Sequence, residues 1–404
     1  MGQNSIKTTP FFFIVVVWGD EYVDLLLRVS LRCFLSPKNI PSLTTKSISK
    51  FIFVTTAKDY LKISQAAIFK KLATYIKPVF VELEFDQDET IYINMTKGYE
   101  AATQLAYKDK AYAIYLLPDC VISDGAFLSL EKYARAGRDV VLLPGPRIIK
   151  EKFLSYINED MLVGNDHLCF AARELAALGL RFLHEEFKNY QYTGRGFTKW
   201  PHMVTWDIPD QNGLLIRAFH LHPLMVNCSN LQQSLSFYKS DTIDANFIKR
   251  NFIDLNRFIL ERDSDNIILY SLTNEKDRLE HGLLWNMKEK LKAILEISQS
   301  DLVNELQKIY FYNAYKLHDS ELVEAWDRVE QESLAVVSAV LMPKYLNRKN
   351  NSLYRKLCSR LLAILPVKLS YLLKQFYWQT CGWFSWCKLK LRPRFFIKGK
   401  NGIN

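Results

Sequence analysis

A chain of 404 residues with 49% apolar and 24% charged side chains is long enough for two domains and a sizeable core, which excludes a disordered polypeptide. Seven dispersed cysteines show neither metal-site spacing nor a paired framework, so free thiols in a reducing setting are expected. The net charge of +10 belongs to one end: no acid follows Glu332, 14 Lys and Arg lie between Lys344 and Lys400, and the other 39 basic against 43 acidic side chains leave residues 1–332 at −4.

The opening MGQNSIKTTP has no basic segment followed by a small-residue cleavage site, and FFFIVVVW is too short to span a bilayer. A cytoplasmic body is the expectation. Five apolar or β-branched runs then recur: 11–17, 51–56, 79–85, 112–117 and 139–143. Continuous runs of this kind read as buried parallel strands. Helical spacing lies between them. Val23, Leu26, Leu27, Leu31 and Phe34 share one face, and MTKGYEAATQLAYK and DGAFLSLEKYARAG behave likewise, with Gly137 placed as a helix C-terminal glycine. Strand–helix alternation predicts an α/β fold, an open, mostly parallel sheet with helices on both faces.

Ligands of such sheets bind outside the carboxyl ends of the strands. That rim holds Trp18, Gly19 and Asp20, Thr55 and Thr56, and Asp119. A backbone contact to a base is expected near Trp18–Gly19. Asp20 and Glu21 also read as acids of a helix first turn, and Ser123 or Asp124 as the cap of the following helix. The first strand-to-helix turn, VVVWGDEY, lacks the glycine pattern that brings amides against a pyrophosphate. No P-loop or nucleophile elbow occurs. A phosphorylated ligand therefore needs another source of positive charge, such as a divalent cation held by carboxylate and imidazole.

Further along, GLLIRAFHLHPLMVNC carries His220 and His222, whose spacing of two places both on one face of a strand. They read either as one buried hydrogen-bonded core histidine with the other facing solvent, or as supplying at least one metal ligand or general base. The segment YTGRGFTKWPH, residues 192–202, carries Arg195 and Lys199 with two glycines and reads either as an exposed connector or as a basic loop that would close over a diphosphate. Asp241 and Asp244 are candidate bases for an acceptor hydroxyl. Residues 277–297, 300–317 and 320–340 have helical periodicity. The tail interleaves Lys and Arg with Leu, Phe, Tyr and Trp, including Trp378, Trp383 and Trp386, in the manner of an amphipathic segment at an anionic membrane. No nucleic-acid module accompanies it. The expected organisation is an α/β domain over 1–275, a helical region over 276–343 and a basic aromatic tail over 344–404.

The run from VVWGDEYVDLLLRVSLRCFLSPKNIPSL through FVTTAKD and AIYLLPDCVISDG to RAFHLHPLMV resembles bacterial glycosyltransferase-like proteins of the GT-A type that accompany surface-polysaccharide genes. The resemblance spans roughly residues 11 to 250 and is one of overall pattern. It implies a nucleoside-diphosphate sugar at the sheet's carboxyl edge, an Asp-x-Asp after the fourth strand holding Mn or Mg, and a later histidine completing the metal shell. Asp119 stands after the fourth predicted strand, and His220 or His222 in the later histidine's approximate place. Here PDC replaces Asp-x-Asp, leaving one carboxylate where two are usual. The literal matches, DQD at 86–88 and DSD at 263–265, read as a solvated loop and a surface turn. The implied activity is sugar transfer to a glycan or lipid-linked acceptor at the inner membrane face. The alternative is a non-catalytic protein that keeps the fold as an interaction or membrane-binding module.

Overall fold

Alternate side chains of the first strand enter two different cores. Phe11, Phe13 and Val15 belong to one apolar cluster, Phe12, Ile14 and Val16 to another, and all six are buried. A strand buried on both faces has no use for the polar alternation of a solvent-facing sheet, which is why FFFIVV is continuous. The computed structural model describes residues 9–83, 86, 88–157, 161, 166–232, 243, 245–277 and 282–341. Met1–Leu341 form one compact unit.

The strands in chain order are β1 (Phe11–Val16), β2 (Lys50–Thr55), β3 (Lys77–Glu82), β4 (Tyr112–Leu116), β5 (Cys120–Ile122), β6 (Val140–Leu143), β7 (Arg147–Ile149), β8 (Gly196–Phe197), β9 (Met203–Asp207), β10 (Gly213–Ala218), β11 (His222–Asn227), β12 (Phe258–Leu260), β13 (Leu269–Thr273), β14 (Leu283–Leu284) and β15 (Tyr315–His318). Seven of them form the main sheet in the order β12-β6-β11-β4-β1-β2-β3. All neighbours run parallel except β11, which lies antiparallel between β4 and β6. Helices Asp20–Leu25, Ala57–Gln65 and Ala126–Arg135 cover one face through Val23, Ile63 and Phe127. Helices Ile91–Lys108 and Ala245–Asn251 cover the other through Tyr99, Ala102 and Phe247. This is the expected α/β class, an open, mostly parallel sheet with helices on both faces.

Smaller sheets complete the unit. β13 pairs with β5 and β7, and β10 pairs with β9 and β15. A third cluster joins Trp206 and Leu215 to Ile294, Trp326 and Val337 from helices Met287–Gln299 and Glu324–Leu341. The periodicity over 300–317 resolves into helix Glu305–Tyr312 followed by β15. Tyr315 and Leu317 supply buried alternation on that strand. No helix among the described residues is long and apolar enough to cross a membrane. The basic aromatic tail lies outside the described residues.

The cap of helix Ala126–Arg135 differs from the expectation. Its N-cap is Gly125, at φ 97°, with no side-chain bond of its own. Asp124 Oδ1 instead accepts from the Lys38 amide at 2.7 Å, and Ser123 Oγ from the Ile268 amide at 3.1 Å. The orphan amides of Gly125 and Phe127 go to Asn39 Oδ1, at 3.2 and 3.0 Å. A distant asparagine performs the capping that local residues were expected to supply. The other end matches: Gly137 at φ 71° follows the helix, with Gly137 N–H to Ala134 O and Arg138 N–H to Tyr133 O closing a Schellman pair.

Candidate functional site

Three strand ends converge on one cavity. β4 and β6 end at Leu116 and Leu143 on the carboxyl edge, and antiparallel β11 starts there, with His222 opposite Leu143. Beside them the β9–β10 pairing sets Ala218 against Met203, and Phe219 N–H donates to His202 O at 2.8 Å. His202, one residue before β9, is thereby held next to His220, just after β10. Their rings meet edge to face at 6.3 Å. The resulting cavity, of about 440 Å³, is lined by His202, His220 and His222 together with Arg147, Glu186, Tyr190 and Ser271.

Each imidazole has one nitrogen fixed by the protein. The His222 Nε2–H donates to the Tyr115 carbonyl at 2.8 Å. His220 Nδ1 accepts from Gln307 Nε2 at 3.1 Å. His202 Nδ1–H meets the Tyr190 hydroxyl at 3.1 Å, and that hydroxyl donates to Glu186 Oε1 at 3.3 Å. Glu186 faces Arg147 at 3.5 Å through its other oxygen. His202 and His222 are half-buried and His220 is exposed, yet loss of hydration against the cavity wall lowers all three rings from the ordinary imidazole range, and His202, with His220 and Arg147 adding to the effect, is pushed down to about 3. All three are neutral at physiological pH.

Asp119, three residues beyond β4, accepts from Ser271 Oγ at 3.0 Å, which ties it to the cavity wall. Burial pushes its carboxyl up, against the Ser271 bond and the charges of Arg147 and Lys150. The rest of the rim is committed elsewhere. Gly19 N–H donates to Asp59 Oδ2 at 3.0 Å, and the same carboxylate takes the Thr56 hydroxyl at 2.9 Å. Trp18 packs against the core cluster of Tyr99, and Thr55 is fully buried. Asp20 and Glu21 occupy a helix first turn and pair with Lys62 and Lys150 at 3.1 and 2.5 Å. Arg195 and Lys199 are exposed and do not line the cavity. Their loop is stapled by Lys290, 1% exposed, whose ammonium donates to the carbonyls of Tyr192 and Gly194 and lies 5.5 Å from the Phe197 ring. Asp241 and Asp244 lie outside the described residues.

Among the described residues the grouping of three potential metal ligands is Asp263, Asp265 and His318, with ligand atoms within 4.8 Å of one another. Asp119, His220 and His222 do not form such a group. The DSD turn therefore has the composition of a cation site, but its donors are engaged. His318 Nε2 faces Asp263 Oδ1 at 2.9 Å and Nδ1 faces the Ser320 carbonyl at 2.6 Å, so both nitrogens meet acceptors and both carry protons. Burial opposes that charge, yet the Asp263 bond and the Ser320 carbonyl hold His318 above its ordinary range. Asp265 is gripped by Arg173 through Nε at 3.0 Å and Nη2 at 2.9 Å. A divalent cation would have to displace a proton and a guanidinium. At the cavity, Glu186 is paired with Arg147 at 3.5 Å and Asp119 is held by Ser271 and feels the charges of Arg147 and Lys150, so both carboxylates are already engaged. Neither place fits a resident metal as it stands.

His202, Arg147, Glu186, Tyr190 and Ser271 carry no motif of their own. Only the position of His202, at the end of a loop already marked by Arg195 and Lys199, hinted at the site. No family model matches the chain, and no curated protein does. Among solved structures it is similar to S. aureus TarS, at 12% identity over 74% of this chain and 41% of that one, with a TM-score of 0.28. It is also similar to a putative glucose-1-phosphate thymidylyltransferase from Bacillus anthracis in complex with a sucrose, at 8% identity over 34% of this chain and 55% of that one, with a TM-score of 0.24. The chain spans about half the length of the solved structures it matches.

Proposed function

We propose that the chain is a glycosyltransferase that moves a sugar from a nucleoside-diphosphate donor to a glycan or lipid-linked acceptor. One observation carries the reading: the cavity at the carboxyl edge of β4 and β6 combines a guanidinium with three neutral imidazoles. Arg147 would take the diphosphate, neutralising the negative charge that grows as the sugar–phosphate bond breaks. The acceptor oxygen forms the new bond to the same carbon, and its proton passes to a base, for which Asp241 and Asp244 are candidates. The diphosphate leaves with the bonding electrons. Residues 344–404 would hold the enzyme at the cytoplasmic face of an anionic membrane. Within this reading, 1–275 bind donor, 276–343 support that domain and the tail localises it.

The substitution of PDC for Asp-x-Asp supports the competing, non-catalytic reading. A thermal-shift screen of the full chain against uridine, guanosine, cytidine and thymidine diphosphates, with and without manganese, separates them. A ligand at a hundred times its Kd adds about 2.7 kcal/mol of apparent stability. At least one nucleotide is expected to stabilise the parent, and Arg147→Met to lose that shift. Absence of any shift removes the transferase reading. A shift that requires manganese restores the Mn or Mg cofactor implied by the GT-A resemblance.

A further inference from the structure

We propose that the three imidazoles of the cavity form a subsite for the hydroxyl groups of an uncharged sugar ring, with His202 Nε2 and His222 Nδ1 accepting and His220 Nε2–H donating. This inference rests on the transferase reading for its setting and on the hydrogen-bond pattern for its content. Each ring's outer partner decides what its other nitrogen presents.

At His222 the partner is a carbonyl, which only accepts, so the proton sits on Nε2 and Nδ1 offers a lone pair. At His220 the Gln307 amide donates into Nδ1, which puts the proton on Nε2. At His202 the Tyr190 hydroxyl already donates to Glu186, so it accepts from Nδ1–H and leaves Nε2 bare. None of these three outward nitrogens is hydrogen-bonded among the described residues. All three side chains line the one cavity.

The set is therefore acceptor, donor, acceptor, fixed before any ligand arrives. A hydroxyl is both donor and acceptor and suits either kind of nitrogen. A metal does not: one of the three nitrogens carries a proton, and among the described residues these imidazoles and the cavity's carboxylate form no group close enough to share an ion. The rings are neutral, each holding one proton on a fixed nitrogen, so the wall offers an anion no charge and a polyol no desolvation penalty for a buried ion. Arg147 lies in the same cavity, paired with Glu186 at 3.5 Å. The two kinds of lining match a ligand that is anionic at one end and polyhydroxylated at the other.

Saturation-transfer NMR on the full chain tests the assignment with two probe sets, free neutral hexoses (glucose, galactose, mannose and N-acetylglucosamine) and nucleoside diphosphates. Transfer to at least one hexose is expected in the parent. His220→Phe keeps the ring's bulk but loses the donor, and should weaken the hexose signal about tenfold, the worth of one neutral hydrogen bond. His220→Gln returns an amide to the Nε2 position and should recover most of it. No transfer to any hexose, or equal transfer in the parent and His220→Phe, overturns the subsite. Hexose transfer without nucleotide binding overturns the donor reading and leaves the subsite standing. Loss of the hexose signal on adding a chelator overturns the metal-free wall.

Discussion

Acid should destabilise this protein through His202. The unfolded chain takes a proton on that ring near pH 6.5, whereas the half-buried ring is held down to about 3. A folded-state value below the unfolded one means that the stability is present above pH 6.5 and is lost as the pH falls from there towards 3. Two units below 6.5, at pH 4.5, the full loss is about 3 kcal/mol, and the water reaching the ring's cavity side reduces the working figure to about 2 kcal/mol. The assay is urea unfolding at pH 7.5 and 4.5 for the parent and for His202→Asn. Asparagine keeps an amide where Nδ1 meets Tyr190 and does not titrate. His220 and His222 act in the same direction, but both proteins carry them, so their contribution cancels. The parent should lose about 2 kcal/mol more than the variant between the two pH values. Equal losses would show that the ring is not held neutral, and the tautomer argument would go with it.

Gly179, in helix Ala172–Arg181, should not tolerate alanine despite alanine's better helix propensity. A Cβ there would lie 2.1 Å from Tyr270 Cζ, and Tyr270 is fully buried, so Gly179→Ala is expected to cost about 1–3 kcal/mol in urea melts, with Tyr270→Leu relieving most of it. His318 gives the opposite pH dependence to His202. Its value is raised, so the stability from its pairing with Asp263 is present below pH 6.5 and is lost as the pH rises through the raised folded value. In Asp263→Asn the His318 titration, followed by NMR, should move down; an unmoved titration would refute the pairing.

What could be read from the chain was what local physics dictates. FFFIVV, KFIFVT, YAIYL and VVLL are continuous because both faces of those strands are buried, and they lie within a residue or two of where periodicity put them. The Asp119 position followed from the same rule about strand ends. The rest depended on contacts distant in sequence. Asn39 caps a helix almost ninety residues away, which no spacing announces. DSD is the surface turn its composition suggested, but His318 and Arg173, which organise it, lie far away in the chain. The histidine pair was visible, but not the protons on it: those depend on Tyr115, Gln307 and Tyr190, each on a separate element. His202 reached the cavity only through the β9–β10 pairing.

The late arrival of β11 at the middle of the sheet has a consequence for the order of events during synthesis. β4 and β6 are made early, yet they never touch along their length, because β11, some eighty residues further on, lies between them. Until that strand emerges, the nascent chain holds two open edges with unpaired amides and carbonyls flanked by Val, Leu and Ile, the arrangement most prone to wrong pairing. Closing it requires long-range contacts, whose loop-closure cost comes before their reward. The same strand begins with His222. The joining of β4 to β6 and the delivery of His222 to the cavity are therefore one step.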